Sequence, residues 1–481
     1  MLLTILLTAC DIGALLNVVE EEYKVPPLLE KPGDDEKPTP PKTEVNLDIK
    51  IGQMLMVGFR GLSVSDKSPI VRDIKKFHLG GVILFDYDFL RKKWGRNIKS
   101  PQQVKKLVEG LQVVSSIPLF IAIDQEGGKI NRLKNKNFSL GTVSAQYLGQ
   151  QNNLELTYTK ASEIAKTVAQ LGINFNLAPV VDLNINPSSP AIGRLRRSFS
   201  ADPSIVTQHA HQFIKAHHEQ EIITVLKHFP GHGSSTHDSH RGWVDVTNTW
   251  KRVELKPYIN LIDKADAIMT AHVFNRHLDP KYPATLSKRI VTNILRQELH
   301  YDGVVVSDDL QMKAITSNYG FEEAIQATID AGVDIILIGN NLKYEPNIAE
   351  RTVNVINQLI TEGQITEERI DKSYQRIQQL KHRWLLKSRN KQQIEIQDED
   401  VTMPVKSEKE SDSCAGHRLT INASPPDSTI KIMNIKPKYQ PGICLKRGTY
   451  HISVTHPGYQ QQKLSIRITD FDVIEPVILG R

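Results

Sequence analysis

The sequence predicts an α/β fold, a (β/α)8 TIM barrel, followed by a small all-β, sandwich-like domain. Three observations carry this. Eight short apolar runs recur between about residues 45 and 385, with amphipathic segments between them. Polar residues with chemical capability stand where several of those runs stop. Past a polar stretch, the C-terminal end alternates apolar and polar positions as strands do.

The chain has 481 residues, with 60 Lys and Arg against 54 Asp and Glu, and 40% of its residues are hydrophobic. This is a globular composition, and the length suits several domains or one large barrel with additions. The net charge of +6 is spread through intermixed basic and acidic residues. It lacks the concentrated basic face that phosphate-backbone binding needs, so no nucleic-acid partner is expected. After the first ten residues, no run approaches the ~18 apolar residues of a membrane helix.

Residues 1–10, MLLTILLTAC, are a short apolar run ending in Leu7-Thr8-Ala9-Cys10. The run resembles a bacterial lipoprotein signal. That implies a lipidated Cys10, an anchor in a bacterial membrane, and a place in the cell envelope facing the periplasm or the cell surface. The usual Lys or Arg ahead of the run is missing. Either the start is placed downstream of the true one, which would account for the missing residue, or the segment is a buried N-terminal strand with an incidental cysteine. Residues 11–46 read as a tether, because 20–44 carry six prolines and many charges and such a composition stays extended and solvated.

The barrel is expected over residues 47–386. Its runs are Met54–Gly58, Gly81–Phe85, Leu119–Ile123, Phe175–Val181, Ile223–Leu226, Ala267–Ala271, Gly303–Val306 and Asp334–Ile338. Near-continuous Val, Ile and Leu marks strands buried on both faces, and segments such as Ser100–Val114 and Asn153–Leu171 read as the intervening helices. An open eight-stranded sheet is the alternative. Run three ends in Asp124-Gln125-Glu126-Gly127-Gly128, run four in Asp182, run five in Lys227-His228, run six in His272 and run seven in Ser307-Asp308-Asp309. Barrel enzymes build their sites from these strand ends, so the residues are expected to converge on one rim.

Residues 387–413 are polar and read as a second linker, leaving 414–481 as the small β domain. Its strands are expected at Arg418–Asn422, Thr429–Ile432 and Thr449–Val454. Ser424-Pro425-Pro426, the Leu445-x-x-Gly448-x-Tyr450 centre and Gly458-Tyr459 resemble PEGA-type surface domains of bacteria. Besides Cys10, the cysteines are Cys414 and Cys444. A disulfide between them would close a loop of about thirty residues and stabilise a small domain by roughly 3–4 kcal/mol. Two buried free thiols are the other reading.

Residues 227–240, KHFPGHGSSTHDSH, hold four histidines. His228 and His232 have the i, i+4 spacing of a zinc-protease helix, but Pro230-Gly231 breaks any helix there and the Glu after the first His is absent. Neither a metal nor another cofactor is expected. This segment, with Asp124-Gln-Glu-Gly-Gly upstream and Ser307-Asp308-Asp309-Leu310 downstream, resembles glycoside hydrolase family 3 β-N-acetylglucosaminidases over roughly residues 47–385. The resemblance implies Asp308 as catalytic nucleophile, His240 as general acid/base and Asp238 as its orienting partner. It implies Asp124, Arg132, Lys227 and His228 as sugar ligands. The family's Ile-Gly-x-Arg-Ser-Phe is two residues longer here, and Arg197 keeps the register to Ser-Phe, with Arg194 and Arg196 as the other arginines of the segment.

The implied reaction is exo-acting, retaining release of N-acetylglucosamine from peptidoglycan fragments or chito-oligosaccharides. A carboxylate attacks the anomeric carbon while a donor protonates the leaving oxygen. Histidine titrates near working pH and suits the donor role, and a carboxylate two residues away can fix its tautomer. Asp309, on the alternating face, is expected to point away from Asp308. The alternatives are a phosphorylase that uses phosphate as acceptor and a non-catalytic wall-binding lipoprotein.

Overall fold

The structure is a computed structural model that describes residues 45–386, apart from 135 and 139, and 417–479, apart from 425, 426, 437, 442 and 469–472. The signal segment with Cys10, most of the tether, the 387–413 linker and Cys414 lie outside the described residues.

Eight parallel strands form one sheet: β1 (Leu55–Gly58), β2 (Gly81–Leu84), β3 (Phe120–Ile123), β4 (Phe175–Asn176), β5 (Ile223–Phe229), β6 (Ala267–Thr270), β7 (Val304–Ser307) and β8 (Ile336–Ile338). Their order is β8-β1-β2-β3-β4-β5-β6-β7. The ring returns on itself where Val306 bridges Ile335 and Ser307 N donates to Ile335 O at 2.9 Å. Closure selects the barrel over the open sheet. Every residue of these strands is buried, as strands lined inside by side chains and outside by helices must be.

Several helices form where the sequence supplies both a cap and a stripe. Ser100 accepts from Gln103 N to start Pro101–Val113, with Pro at the first helical position, and Val104, Leu107, Val108 and Leu111 bury one face. Asn153 caps Leu154–Gln170 in the same way. Lys381 closes the barrel's N-terminal end, its Nζ 2.8 Å from Gln53 Oε1 and 2.9 Å from Gly80 O. Burial pushes that amine well below the ordinary lysine range.

Run four departs from expectation. Of Phe175–Val181, only the first two residues pair as a regular strand, and contact with β5 resumes as an isolated bridge at Val180. Pro179 has no N–H to give a ladder.

In the C-terminal part, β9 (His417–Ser424), β11 (Ile443–Leu445) and β14 (Val473–Ile478) make one sheet, and β10 (Thr429–Ile432), β12 (Gly448–Thr455) and β13 (Gln462–Ile468) another. Leu419, Ile421, Ile452, Val454, Ile466, Ile468 and Val477 form a core between them, which is a small sandwich. Three of its strands, β11, β13 and β14, go beyond those expected from sequence. Cys444, on β11, is disulfide-bonded.

Candidate active site

The C-terminal ends of β3, β4, β5 and β7 bring the expected residues to one mouth. Lys227 Nζ, on β5, lies 2.8 Å from Asp124 Oδ1 and 2.8 Å from Glu126 Oε1. Arg197 grips Glu126 with two parallel hydrogen bonds, Nε at 2.8 Å and Nη2 at 2.7 Å. Its Nη2 also lies 3.3 Å from His228 Nε2. A guanidinium only donates, so Nε2 of His228 accepts and Nδ1 donates to Asp182 Oδ2 at 2.7 Å. Arg132 reaches Asp124 at 3.5 Å and Asp86 at 3.9 Å. A continuous chain of hydrogen bonds and ion pairs thus runs from Asp182 through His228, Arg197, Glu126, Lys227, Asp124 and Arg132 to Asp86.

Electrostatics follow from this packing. Burial alone would raise every carboxyl in the chain. Against it, Arg197 and Lys227 bring Glu126 down to about 2. Lys227 and Arg132 likewise hold Asp124 below the usual aspartate value. Burial would lower Lys227, but its two carboxylate partners raise it above the usual lysine value. Glu126, Asp124 and Lys227 are therefore charged together at neutral pH, presenting fixed acceptors and donors at the mouth.

Lys227 and His228 are consecutive yet both serve the mouth, because the register of β5 against β6 shifts between Lys227 and Phe229 and such an irregularity re-aims side chains. The following turn needs glycines. Gly231 has φ +125°, and a Cβ on Gly233 would stand 1.6 Å from Leu183 O.

The second cluster is the dyad of the rim loop. His240 Nδ1 lies 2.8 Å from Asp238 Oδ1, which also accepts from His240 N at 3.0 Å. Partial burial would lower the His240 pKa, but the Asp238 hydrogen bond and the charge of Asp308 raise it above the ordinary histidine value. The His240 hydrogen bond takes Asp238 down to about 2. Asp308 follows Ser307 at the end of β7, and the fields of His272, His228 and His240 overcome its burial and hold it below the usual value. Asp309 turns elsewhere: its Oδ1 accepts from Gln311 N at 3.0 Å and Gly339 N at 2.9 Å. Burial pushes its carboxyl up to about 6.

The sequence profile of the Glycosyl hydrolase family 3 N terminal domain matches residues 46–380. The chain belongs to glycoside hydrolase family 3. It is 32% identical over 372 residues to the beta-hexosaminidase A of Pseudoalteromonas piscicida, covering 69% of this chain and 60% of that protein. It is 32% identical over 341 residues to the beta-hexosaminidase LpqI of Mycobacterium tuberculosis, covering 69% of this chain and 82% of that one. A family 3 β-N-acetylglucosaminidase structure from Paenibacillus sp. superposes with a TM-score of 0.65 at 35% identity, over 76% of this chain and 65% of the other. The chain thus spans less than two thirds of two of these relatives.

Within the family 3 barrel, Arg197 is the arginine of its segment that reaches the mouth; Arg194 and Arg196 are exposed. Of the four histidines in residues 227–240, His228 joins Asp182 to Arg197 and His240 pairs with Asp238, while His232 gives Asp182 only its backbone N–H, at 2.7 Å. His232 is buried against Ser235 and Ser239, and burial takes its pKa to about 4. His237 is exposed beside Thr236. No group of three His, Cys, Asp or Glu placed to hold a metal ion occurs among the described residues. Two participants were absent from the expected ligand set: Glu126, which joins Lys227 to Arg197, and Asp182, which fixes His228. Both stand in strand-end segments already marked as unusual, which was the only local signal.

Proposed function

We propose that this chain is an exo-acting, retaining β-N-acetylglucosaminidase that releases N-acetylglucosamine from peptidoglycan fragments or chito-oligosaccharides. The Asp238–His240 hydrogen bond beside an ionised Asp308 carries the reading. Together they offer a carboxylate held below its ordinary pKa as nucleophile and an imidazole held above its own as donor, in a single mouth. The names of the relatives agree with the substrate class.

In this reading Asp308 attacks the anomeric carbon as the bond to the leaving oxygen breaks, and His240 gives that oxygen its proton from Nε2. Asp238 holds Nδ1 and stabilises the imidazolium before transfer. A water then attacks the anomeric carbon of the glycosyl ester, His240 takes its proton, and Asp308 leaves as carboxylate. Asp124, Arg132, Lys227, His228 and Arg197 would bind the sugar's hydroxyl and acetamido groups. The engagement of Asp309 with Gln311 N and Gly339 N argues against an aspartate pair directing acetamido attack.

A place in the cell envelope with Cys10 lipidated is part of the proposal and rests on the N-terminal sequence. Among the described residues no helix is long and apolar enough to cross a membrane. The PEGA-like identity of the tail and the pairing of Cys414 with Cys444 rest likewise on sequence pattern.

The test is incubation with chitobiose and with muropeptides, followed by identification of the released sugar. Released N-acetylglucosamine that disappears in Asp308→Ala supports the proposal. Binding of either glycan without release would leave the wall-binding reading in its place. Membrane fractionation of the wild type against Cys10→Ala tests the anchor separately.

A further inference from the structure

The loop after β2 does not run straight into its helix. It makes a small hairpin in which Tyr87–Asp88 pairs with Lys93–Trp94, and its base is fixed from three sides. The buried Asp88 carboxylate accepts from Arg60 Nε at 2.6 Å, Arg60 Nη2 at 3.0 Å and Arg96 Nη1 at 3.1 Å. The Arg60 guanidinium stacks 3.8 Å over Tyr344. Asn341, beyond β8, accepts from Phe89 N at 3.0 Å and donates to Tyr87 O at 3.0 Å.

On this rigid base stands an exposed tip of unusual chemistry. Among the described residues eight large hydrophobic side chains are exposed, and three of them fall within six positions here: Phe89 at 57%, Leu90 at 50% and Trp94 at 60%. Such clustering on a soluble surface marks an interaction site rather than scatter. Between them Arg91, Lys92 and Lys93 are also exposed. The hairpin's two acids are buried and engaged, Asp88 as above and Asp86 with Lys134 at 2.9 Å. The accessible tip is therefore apolar and cationic, with no exposed acid from Phe89 to Trp94.

We propose that this tip docks on a lipid surface rich in anionic headgroups. Phe89 and Leu90 enter the boundary between headgroups and acyl chains, Trp94 lies at the interface, and Arg91, Lys92 and Lys93 meet lipid phosphates. A glycan is the poorer occupant. Lys134 Nζ already sits 4.3 Å over the Trp94 ring and Tyr87 lies 4.8 Å from it, while Phe89 and Leu90 have no side-chain groups to pair with hydroxyls. The contact is independent of Cys10 and of the hydrolytic reading. It places an edge of the barrel mouth against the bilayer.

The experiment uses full-length Cys10→Ala protein, so that no acyl anchor contributes, with vesicles of phosphatidylglycerol and phosphatidylethanolamine or of phosphatidylcholine alone. Co-sedimentation with the anionic vesicles, weakened by added salt, and a blue shift of tryptophan emission that Trp94→Phe removes are expected. Phe89→Ser/Leu90→Ser, and separately Arg91→Ser/Lys92→Ser/Lys93→Ser, should each lower partitioning about tenfold or more. Unchanged turnover of an aryl N-acetylglucosaminide and unchanged melting show that these variants are folded. Equal binding to both vesicle types, or tip variants that bind like the parent, overturns the proposal. Tip variants that raise KM for an oligosaccharide while vesicle binding is unaltered would assign the tip to the glycan instead.

Discussion

Lys227 holds Asp124 and Glu126 apart and in register, its Nζ 2.8 Å from an oxygen of each. Neither carboxylate is free to turn, because Arg132 and the Arg197 Nε hold their other oxygens. The mouth is thereby pre-organised, and the arrangement is coupled across β3 and β5.

Coupling of this kind makes single losses costly. Glu126→Gln leaves Lys227 and Arg197 short of a buried counter-charge, and should cost about 3 kcal/mol of stability and raise KM by releasing Arg197. Lys227→Met should cost a similar amount. In the double variant each lost charge removes the other's unpaired partner, so the combined loss should fall short of the sum by about 2 kcal/mol. Denaturant unfolding of the four proteins measures it, and simple additivity would contradict a coupled pair.

The Asp238–His240 bond should be visible in the pH profile. The raised His240 pKa keeps its proton above the ordinary histidine range, so activity persists there and falls as pH rises through that value. The low pKa of Asp308 places the acid limb below the usual aspartate value. Asp238→Asn removes the strongest influence raising His240. The alkaline limb should then move to lower pH, with kcat reduced roughly 10–100-fold, while the acid limb stays. An alkaline limb unmoved in Asp238→Asn would mean that His240 does not set it.

Much of this was legible in the sequence because barrel strands are short, apolar and buried on both faces, so each run announces itself without its neighbours. β4 was read too long, since Pro179 interrupts pairing without interrupting apolarity. β14 was missed for a related reason: Pro476 argues against a strand, yet β14 pairs on one side only, as a sheet edge where a missing N–H is tolerated. In the mouth, residue types at strand ends marked Asp124, Lys227, His228 and Asp308, whereas His240, in the loop beyond β5, came from the family resemblance. The partnership of Glu126 with Arg197, seventy-one positions apart, depends on how strands wrap around the ring, and no local pattern carries it. The exposed hairpin escaped notice because Phe89 and Leu90 read as ordinary apolar positions until their exposure is known.

Glu254 lies behind the rim loop, buried, and a Cβ on Gly231 would meet its carboxyl. Burial raises its pKa to about 7. The folded state thus keeps a proton that the unfolded chain releases near 4.5, the ordinary glutamate value. Its contribution is intact below about 4.5 and is lost as pH rises through about 7. Asp309, raised to about 6, acts in the same sense. Glu254→Gln cannot ionise, so it should be more stable than the wild type at pH 8, by up to about 3 kcal/mol, and nearly equal to it at pH 4. Calorimetric melting at the two pH values decides this. A gain at pH 4 equal to that at pH 8 would mean that ionisation of Glu254 is not its source.

Nucleophile and donor should separate by leaving group. Asp308→Ala removes the proposed nucleophile and should abolish turnover on every substrate, since Asp309 is bound to Gln311 N and Gly339 N and cannot replace it. His240→Ala keeps the nucleophile. A nitrophenyl leaving group departs with little help, so its turnover should fall about tenfold or less, whereas a disaccharide, which needs its oxygen protonated, should lose roughly 1000-fold. Equal losses on both classes would remove His240 from the donor role. A histidine donor has one further consequence. After giving up its proton it is neutral and, unlike a carboxylate, does not itself repel an anion approaching the glycosyl ester. Phosphate can then compete with water for the anomeric carbon, and N-acetylglucosamine 1-phosphate would appear in phosphate buffer. If free N-acetylglucosamine is the only product there, water is the acceptor in the second step and the phosphorylase reading fails.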